Sequence, residues 1–186
     1  DPDRGLWGVA TQPPRGRRGA APERAPGPEL AWSWDGSGKG VTLPLRDDVE
    51  WTDSTTVTAD DVVWSWLRTI SPQLGADYAY QFYGIVGAEA YNSCKPSASN
   101  QQCNALKGKV GISAPDATTV KIELTSPQPW FMQQLSHTSF IPANKAAVGK
   151  WGAKWTEPGH NVSDGPFTLN QWRHAASVTH GKIPDY

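Results

Sequence analysis

The first regular pattern of apolar residues in the chain is a short alternation. Val41 and Leu43 alternate with Thr42 and Pro44, which predicts a half-buried strand over 41–45. Because proline cannot donate to a ladder, Pro44 favours an edge position in the sheet. The acidic stretch that follows is rich in turn-forming aspartates, so the strand should end in a turn.

A helical pattern follows this turn. Val62, Trp66 and Ile70 recur at helical spacing and predict a helix over 59–70 with one buried face. Thr58 stands just before it, and an aspartate follows Thr58 three residues later. This spacing predicts a capping box, in which the two side chains satisfy free amides at the start of the helix.

The rest of the pattern is a mixture of short helices and strands without an internal repeat. The predicted elements are helical stretches within 77–91, a hairpin of strands 110–113 and 119–124, a helix over 129–135 with Pro129 in its first turn, a short helix over 144–151 and a closing strand over 167–172. Residues 1–29 differ, since they are dense in Pro, Gly and Arg and have no apolar period. They are predicted to form a loose arm or an irregular strap, whose arginines are solvated.

Composition excludes several classes of partner. The 186-residue chain has a formal net charge of −1, which gives no electrostatic footprint for nucleic acid or an anionic membrane. No apolar run approaches the roughly 18 residues of a transmembrane helix. Asp1 opens the chain without a basic segment and apolar core, so we expect a signal peptide to have been removed or left out.

The two cysteines bear on the compartment. Cys94 and Cys103 flank a polar segment that contains Pro and Asn, and this segment resembles a surface loop that a disulfide could close. An even cysteine count favours an exported protein, whereas two free thiols in a cytosolic protein are the alternative. Their spacing excludes a CxxC metal site.

The stretch 45–53, Leu-Arg-Asp-Asp-Val-Glu-Trp-Thr-Asp, and the stretch 58–66, Thr-Ala-Asp-Asp-Val-Val-Trp-Ser-Trp, together resemble one family. It is the peptide-type (oligopeptide and dipeptide) solute-binding proteins of ABC transporters, family 5 of the extracellular solute-binding proteins. Further segments similar to the family follow in the same order, at 30–34, 110–120, 152–158, 162–167 and 184–186. The resemblance covers roughly residues 30–186.

This resemblance implies an α+β fold with a mixed sheet and flanking helices, forming part of a class II periplasmic-binding-protein-like lobe. Residues 30–172 would form the small lobe with part of the first lobe, and 173–186 the start of a returning first-lobe strand, truncated where family members continue. The opposite lobe of the cleft would be missing, so the face left by truncation could drive self-association. Two departures lie in the turn before the helix, where Ser54 replaces the usual Gly and Thr56 the usual Pro.

The function implied by the resemblance is capture of a solute, most simply an oligopeptide, between two lobes, followed by presentation to an ABC permease in the membrane. The protein would be secreted, cell-surface or periplasmic, with no cofactor and no enzymatic activity. Tyr78 lies in a segment similar to one whose tyrosine contacts ligand in the family, and Tyr80 and Gln81 are weaker candidates for ligand contact.

Other functions are weighed against this one. The chain lacks the Ser-nucleophile, P-loop and dinucleotide motifs, and its four histidines are too scattered to predict a metal site. A protein-binding or inhibitory module that reuses the lobe is one alternative. The ten tryptophans suggest carbohydrate binding as another, although most lie on an apolar helical face or in family-like segments, where packing is the default.

Overall fold

The computed structural model describes residues 32–95 and 100–184. The elements in chain order are β1 (Ser33–Trp34), β2 (Gly40–Pro44), α1 (Ala59–Thr69), a 3₁₀ helix (Ala79–Phe82), α2 (Ala88–Asn92), α3 (Gln101–Lys107), β3 (Ile112–Asp116), β4 (Thr119–Glu123), α4 (Phe131–Gln134), a 3₁₀ helix (Thr138–Phe140), α5 (Lys145–Trp151), a 3₁₀ helix (Gly152–Lys154), β5 (Phe167–Arg173) and β6 (Ser177–Lys182). The predicted arm over 1–29 lies outside the described residues.

Four of these strands form one sheet in the order β1-β2-β4-β3, and β5 pairs with β6 in a separate hairpin. The edge position predicted for Pro44 is wrong, because β2 lies between β1 and β4. β1 reaches only Val41 and Thr42, however, while Pro44 pairs with Thr119 on the other side. Pro44 therefore lies beyond the end of the two-residue strand β1, where its missing N–H is tolerated.

Helix α1 begins as the sequence predicts. The Thr58 hydroxyl accepts from the Asp61 N–H at 3.3 Å, and the Thr58 N–H donates to the Asp61 carboxylate at 3.0 Å, which completes the capping box. Val62, Trp66 and Ile70 are all essentially inaccessible to solvent. The predicted boundaries and buried face of this helix are confirmed.

An aromatic cluster holds α1 against the later helices. Trp66 meets Phe82 and Phe140 edge to face, with ring centroids 6.0 and 5.4 Å away, and the two phenylalanines lie 4.1 Å apart. Phe131 contacts Phe140 in the same way. These buried rings pack in one core with the inward residues of the sheet. The core thus fixes the segment 131–140 relative to the 3₁₀ helix that carries Phe82.

The disulfide is present and joins the end of α2 to α3. Cys94 and Cys103 are bonded, and no cysteine is free, so the thiol alternative is wrong for this structure. The polar segment between them was predicted to be loop up to Gln102, but α3 begins at Gln101. The disulfide ties this short helix to the end of α2, and Cys103 and Leu106, three residues apart, pack on the core.

A second, smaller core lies under the acidic turn after β2. Val49, Trp51 and Val57 are buried together, and Val162 packs against them. The turn keeps its form without the usual glycine, since Ser54 itself adopts a left-handed conformation with φ of 65°. A few per cent of non-glycine residues do so at a cost.

The same turn is tied to the chain that leads into the hairpin. The Thr52 N–H donates to the Ser163 carbonyl at 2.8 Å, and the Ser163 N–H donates to the Thr52 hydroxyl at 3.3 Å. These residues are 111 positions apart in sequence. Strand β5 follows, as predicted, and β6 lies within 173–186, where the resemblance implies a returning strand. The division proposed at residue 172 falls inside β5.

Candidate functional site

An aromatic ridge stands on the 3₁₀ helix Ala79–Phe82. Tyr78 and Tyr80 are 52% and 53% exposed, and their ring centroids are 6.0 Å apart. Ala79 and Phe82, between and after them, are buried. Buried Ala79 and Phe82 anchor this tight helix in the core, and both phenols are presented to solvent.

His137 joins this ridge from another part of the chain. Its ring centroid lies 5.1 Å from that of Tyr78, and its Nδ1 accepts from the Ser139 N–H at 3.2 Å. Because Nδ1 is an acceptor here, the neutral ring carries its proton on Nε2, which is then a donor. His137 is one of the four histidines whose scattered positions predict no metal site. Nothing in its spacing could have revealed the contact, since it depends on how α4 packs.

Gln81 is held by a residue of α4. The Gln134 Nε2 donates to the main-chain carbonyl of Gln81 at 2.6 Å and to its side-chain Oε1 at 3.1 Å. Both side chains are partly buried. The three predicted ligand residues, Tyr78, Tyr80 and Gln81, are thus neighbours on one short element, and α4 with the residues after it supports them. We call Tyr78, Tyr80, Gln81 and His137 the tyrosine ridge.

The tyrosine ridge offers phenol, imidazole and amide groups. Such groups donate and accept neutral hydrogen bonds and stack on planar groups. Among residues 32–95 and 100–184, no group of His, Cys, Asp and Glu side chains is placed to hold a metal ion. In the same part of the chain, no helix is long and apolar enough to span a membrane.

The tryptophans of the described residues lie in different elements, some buried and some exposed. Trp51 and Trp66 are buried, as expected from packing, but Trp32 and Trp172 are 45% and 38% exposed. The expectation of packing is therefore wrong for the last two. Trp151 is stacked on the His160 ring at 3.8 Å, and the Lys150 ammonium lies 4.7 Å from its centroid. Contacts of this kind occupy the π-face that a sugar would need.

A concave feature lies beside the hairpin. It is an open groove of about 630 Å³, lined by Asn161, Ser163, Gly165, Pro166, Phe167, Leu169, Trp172, Val178 and His180. A bulge between Leu169 and Gln171 lets Trp172 join Phe167 and Leu169 on the apolar face. Nearby in sequence, burial raises the pKa of the Asp164 carboxyl.

Comparison with known proteins assigns the chain to a family. Residues 25–186 match the family described as bacterial extracellular solute-binding proteins, family 5 Middle, and the chain belongs to this family. The resemblance seen in the sequence and the predicted α+β class are confirmed.

Individual relatives agree with this assignment. The chain is 36% identical to the periplasmic oligopeptide-binding protein OppA of Escherichia coli strain K12 over 165 residues, which are 87% of this chain and 28% of the relative. It is 33% identical to the dipeptide-binding protein DppE of Bacillus subtilis strain 168, over 100% of this chain and 34% of the relative. The structure of OppA from Burkholderia pseudomallei superposes with a TM-score of 0.75 at 29% identity, covering 84% of this chain and 29% of that one. The chain therefore spans about a third or less of the length of these relatives.

Proposed function

We propose that this chain is a lobe of an extracellular receptor for oligopeptides that serves an ABC uptake system. The observation that carries the proposal is the tyrosine ridge, where Tyr78, Tyr80 and Gln81 stand together on a rigid base beside His137. Residues 30–172 would form the small lobe with part of the first lobe. The peptide would be enclosed when the remaining lobe closes over it, and the closed complex would be presented to a membrane permease.

The chemistry of the ridge suits a peptide main chain. Every peptide offers carbonyl acceptors and N–H donors at regular spacing, whatever its side chains. Tyrosine hydroxyls can serve either role, while the Gln81 amide and the His137 Nε2–H supply donors. Exposed phenol rings also give apolar area for ligand side chains at low entropic cost. Such a surface would bind many sequences and would not catalyse a reaction.

The disulfide supports export. Disulfides persist in oxidising compartments and are rare in the cytosol, and here the Cys94–Cys103 bond joins the end of α2 to α3. Together with membership of an extracellular family, it favours a secreted, cell-surface or periplasmic protein.

A chimera tests the proposal, because the relatives are about three times as long as this chain. Residues 25–186 would replace the matched segment of the Escherichia coli oligopeptide-binding protein, and tri- to pentapeptides would be titrated by calorimetry. We expect micromolar or tighter binding, weakened about tenfold or more by Tyr78→Ala. Leu74→Ala is the matched control, since Leu74 is a 42% exposed apolar residue of the same loop.

Two results would overturn the proposal. One is a folded chimera that binds no peptide. The other is a chimera in which Tyr78→Ala, Tyr80→Ala and Gln81→Ala all leave the affinity of the wild-type chimera unchanged. Thermal unfolding of each variant shows whether the chimera is folded.

A further inference from the structure

The contact between α4 and Gln81 affects which group of the Gln81 side chain is available to a ligand. We infer that Gln134 is a positioning residue, which fixes the side-chain amide of Gln81 so that its N–H donors are left for a main-chain carbonyl oxygen of the ligand. This inference rests on the proposed function, since it concerns the same ridge.

The orientation of both amides follows from one unambiguous acceptor. The main-chain carbonyl of Gln81 can only accept, and it lies 2.6 Å from the Gln134 amide. The Gln134 atom at that position must therefore be Nε2, with its two N–H donors. The Gln81 side-chain atom 3.1 Å from the same nitrogen must then be the acceptor Oε1, because two NH₂ groups would repel each other.

This arrangement determines what Gln81 offers to a ligand. Its Oε1 is occupied by Gln134, so the opposite atom of the amide, Nε2, carries the free donors. Gln81 is only partly buried and follows the exposed Tyr80 directly. An extended peptide presents a carbonyl oxygen about every 3.4 Å per residue, alternately to each side. A fixed donor on the ridge selects one of these oxygens and sets the register of the peptide.

The same segment supports both ends of the ridge. Gln134 contacts Gln81, and three residues later His137 contacts the ring of Tyr78. The segment is anchored on either side by Phe131 and Phe140, which are fully buried. A change at Gln134 should therefore act on the ligand through Gln81 alone, while the aromatic anchors keep the segment in place.

The decisive variant is Gln134→Glu in the chimera described above. The side chain keeps its size, but an ionised carboxylate cannot donate to either acceptor of Gln81. We expect peptide affinity to weaken about three- to tenfold, the effect of losing an oriented hydrogen bond. Gln133→Glu introduces the same charge at the exposed neighbouring position and should leave the affinity within about twofold.

Two further variants separate positioning from a merely structural role. Gln134→Lys restores N–H donors and should return most of the affinity, since an ammonium can donate to both acceptors. Gln81→Glu keeps an acceptor for Gln134 but replaces the outward donors by an acceptor, so it should weaken peptide binding while the melting temperature stays near that of the wild-type chimera. Gln81→Glu therefore tests the inference even if Gln134→Glu does not fold.

The outcomes distinguish the two proposals. If the wild-type chimera binds peptide and both Gln134→Glu and Gln81→Glu bind equally well, the positioning role is wrong while the proposed function stands. If Gln133→Glu weakens binding as much as Gln134→Glu, added negative charge explains the loss and the inference fails. If the folded wild-type chimera binds no peptide, the proposed function itself fails.

Discussion

The indole Nε1–H of Trp66 donates to the main-chain carbonyl of Phe140 at 2.9 Å, across 74 residues of sequence, and the two rings meet edge to face. This contact joins the first long helix to the segment that supports the tyrosine ridge. Both residues are completely buried, so a lost partner here cannot be replaced by water.

Substituting Trp66→Phe should therefore lower the free energy of unfolding by about 2 to 3 kcal/mol, through a cavity and an unsatisfied carbonyl. Urea unfolding followed by circular dichroism measures this. Trp130→Phe is the matched control, because Trp130 is 58% exposed, and it should change stability by less than about 0.5 kcal/mol. Equal losses in the two variants would contradict the assigned role.

Gly87 is required by both its conformation and its surroundings. Its φ is +72°, and a Cβ there would lie 2.7 Å from the main-chain carbonyl oxygen of Lys109. Gly87→Ala should cost about 2 kcal/mol or more, since left-handed strain and a backbone clash add together. Gly149→Ala is the control. It lies in α5 with open space around it, and alanine should stabilise the helix by about 0.5 to 1 kcal/mol. Thermal unfolding of both variants gives the comparison, and a neutral Gly87→Ala would show that the α2 turn can move.

The disulfide closes a short loop, since its two cysteines are nine positions apart in sequence. The double substitution Cys94→Ala with Cys103→Ala should lower the free energy of unfolding by about 2 to 3 kcal/mol, chiefly because the unfolded chain regains entropy. The same loss should follow from reductant added to the wild-type protein. Reductant should not affect the double variant, and a melting temperature of the wild type that ignores reductant would refute the stabilising role.

Two aspartates should respond to pH in opposite directions. Burial raises the pKa of Asp164, so the folded state holds its proton more tightly than the unfolded state does. The resulting stabilisation is fully present below the pKa that Asp164 has in the unfolded state. It is lost as pH rises through the pKa of Asp164 in the folded state. The stability of Asp164→Asn relative to wild type should therefore increase with pH across this window, as measured by urea unfolding at a series of pH values.

Asp48 provides the opposite case. The hydrogen bond from Arg46 lowers the pKa of Asp48, and the two groups form an ion pair at 2.7 Å. Its stabilisation is present above the unfolded pKa and is lost as pH falls through the folded pKa. The free energy of unfolding of Asp48→Asn relative to wild type should therefore decrease as pH rises. The decrease should be small because the pair is partly exposed. Parallel pH profiles for Asp48→Asn and Asp164→Asn would rule out this assignment.

The elements that could be predicted from sequence are those with a local signal. The capping box before α1, the apolar face with Trp66, and Asn144 at the start of α5 are all encoded within one or two turns of chain. Other elements have no such local signal. Strand β6 has exposed residues along most of its length, so only the family resemblance predicted a strand within 173–186, and α3 is a short helix in a segment predicted to be loop.

The candidate site likewise contains residues that could be predicted from sequence and residues that could not. Tyr78, Tyr80 and Gln81 are consecutive or nearly so, and they are predicted through family resemblance at a single segment. Their partners His137 and Gln134 lie more than 50 positions later, so their roles depend on how α4 packs against the 3₁₀ helix. No periodicity or local motif reports such a contact.

By itself, the sequence determined the ancestry of the chain, its α+β class, the main helix with its cap and the short segment that carries the tyrosines, because capping, helical period and motif are properties of neighbouring residues. Only the tertiary structure decided that Pro44 lies inside the sheet, that Ser54 takes the left-handed conformation, and that Gln134 orients Gln81. Pro44 and Gln134 take these roles through contacts with distant parts of the chain, and Ser54 lies in a turn over the small core of Val49, Trp51 and Val57, so packing and not a local pattern fixes them.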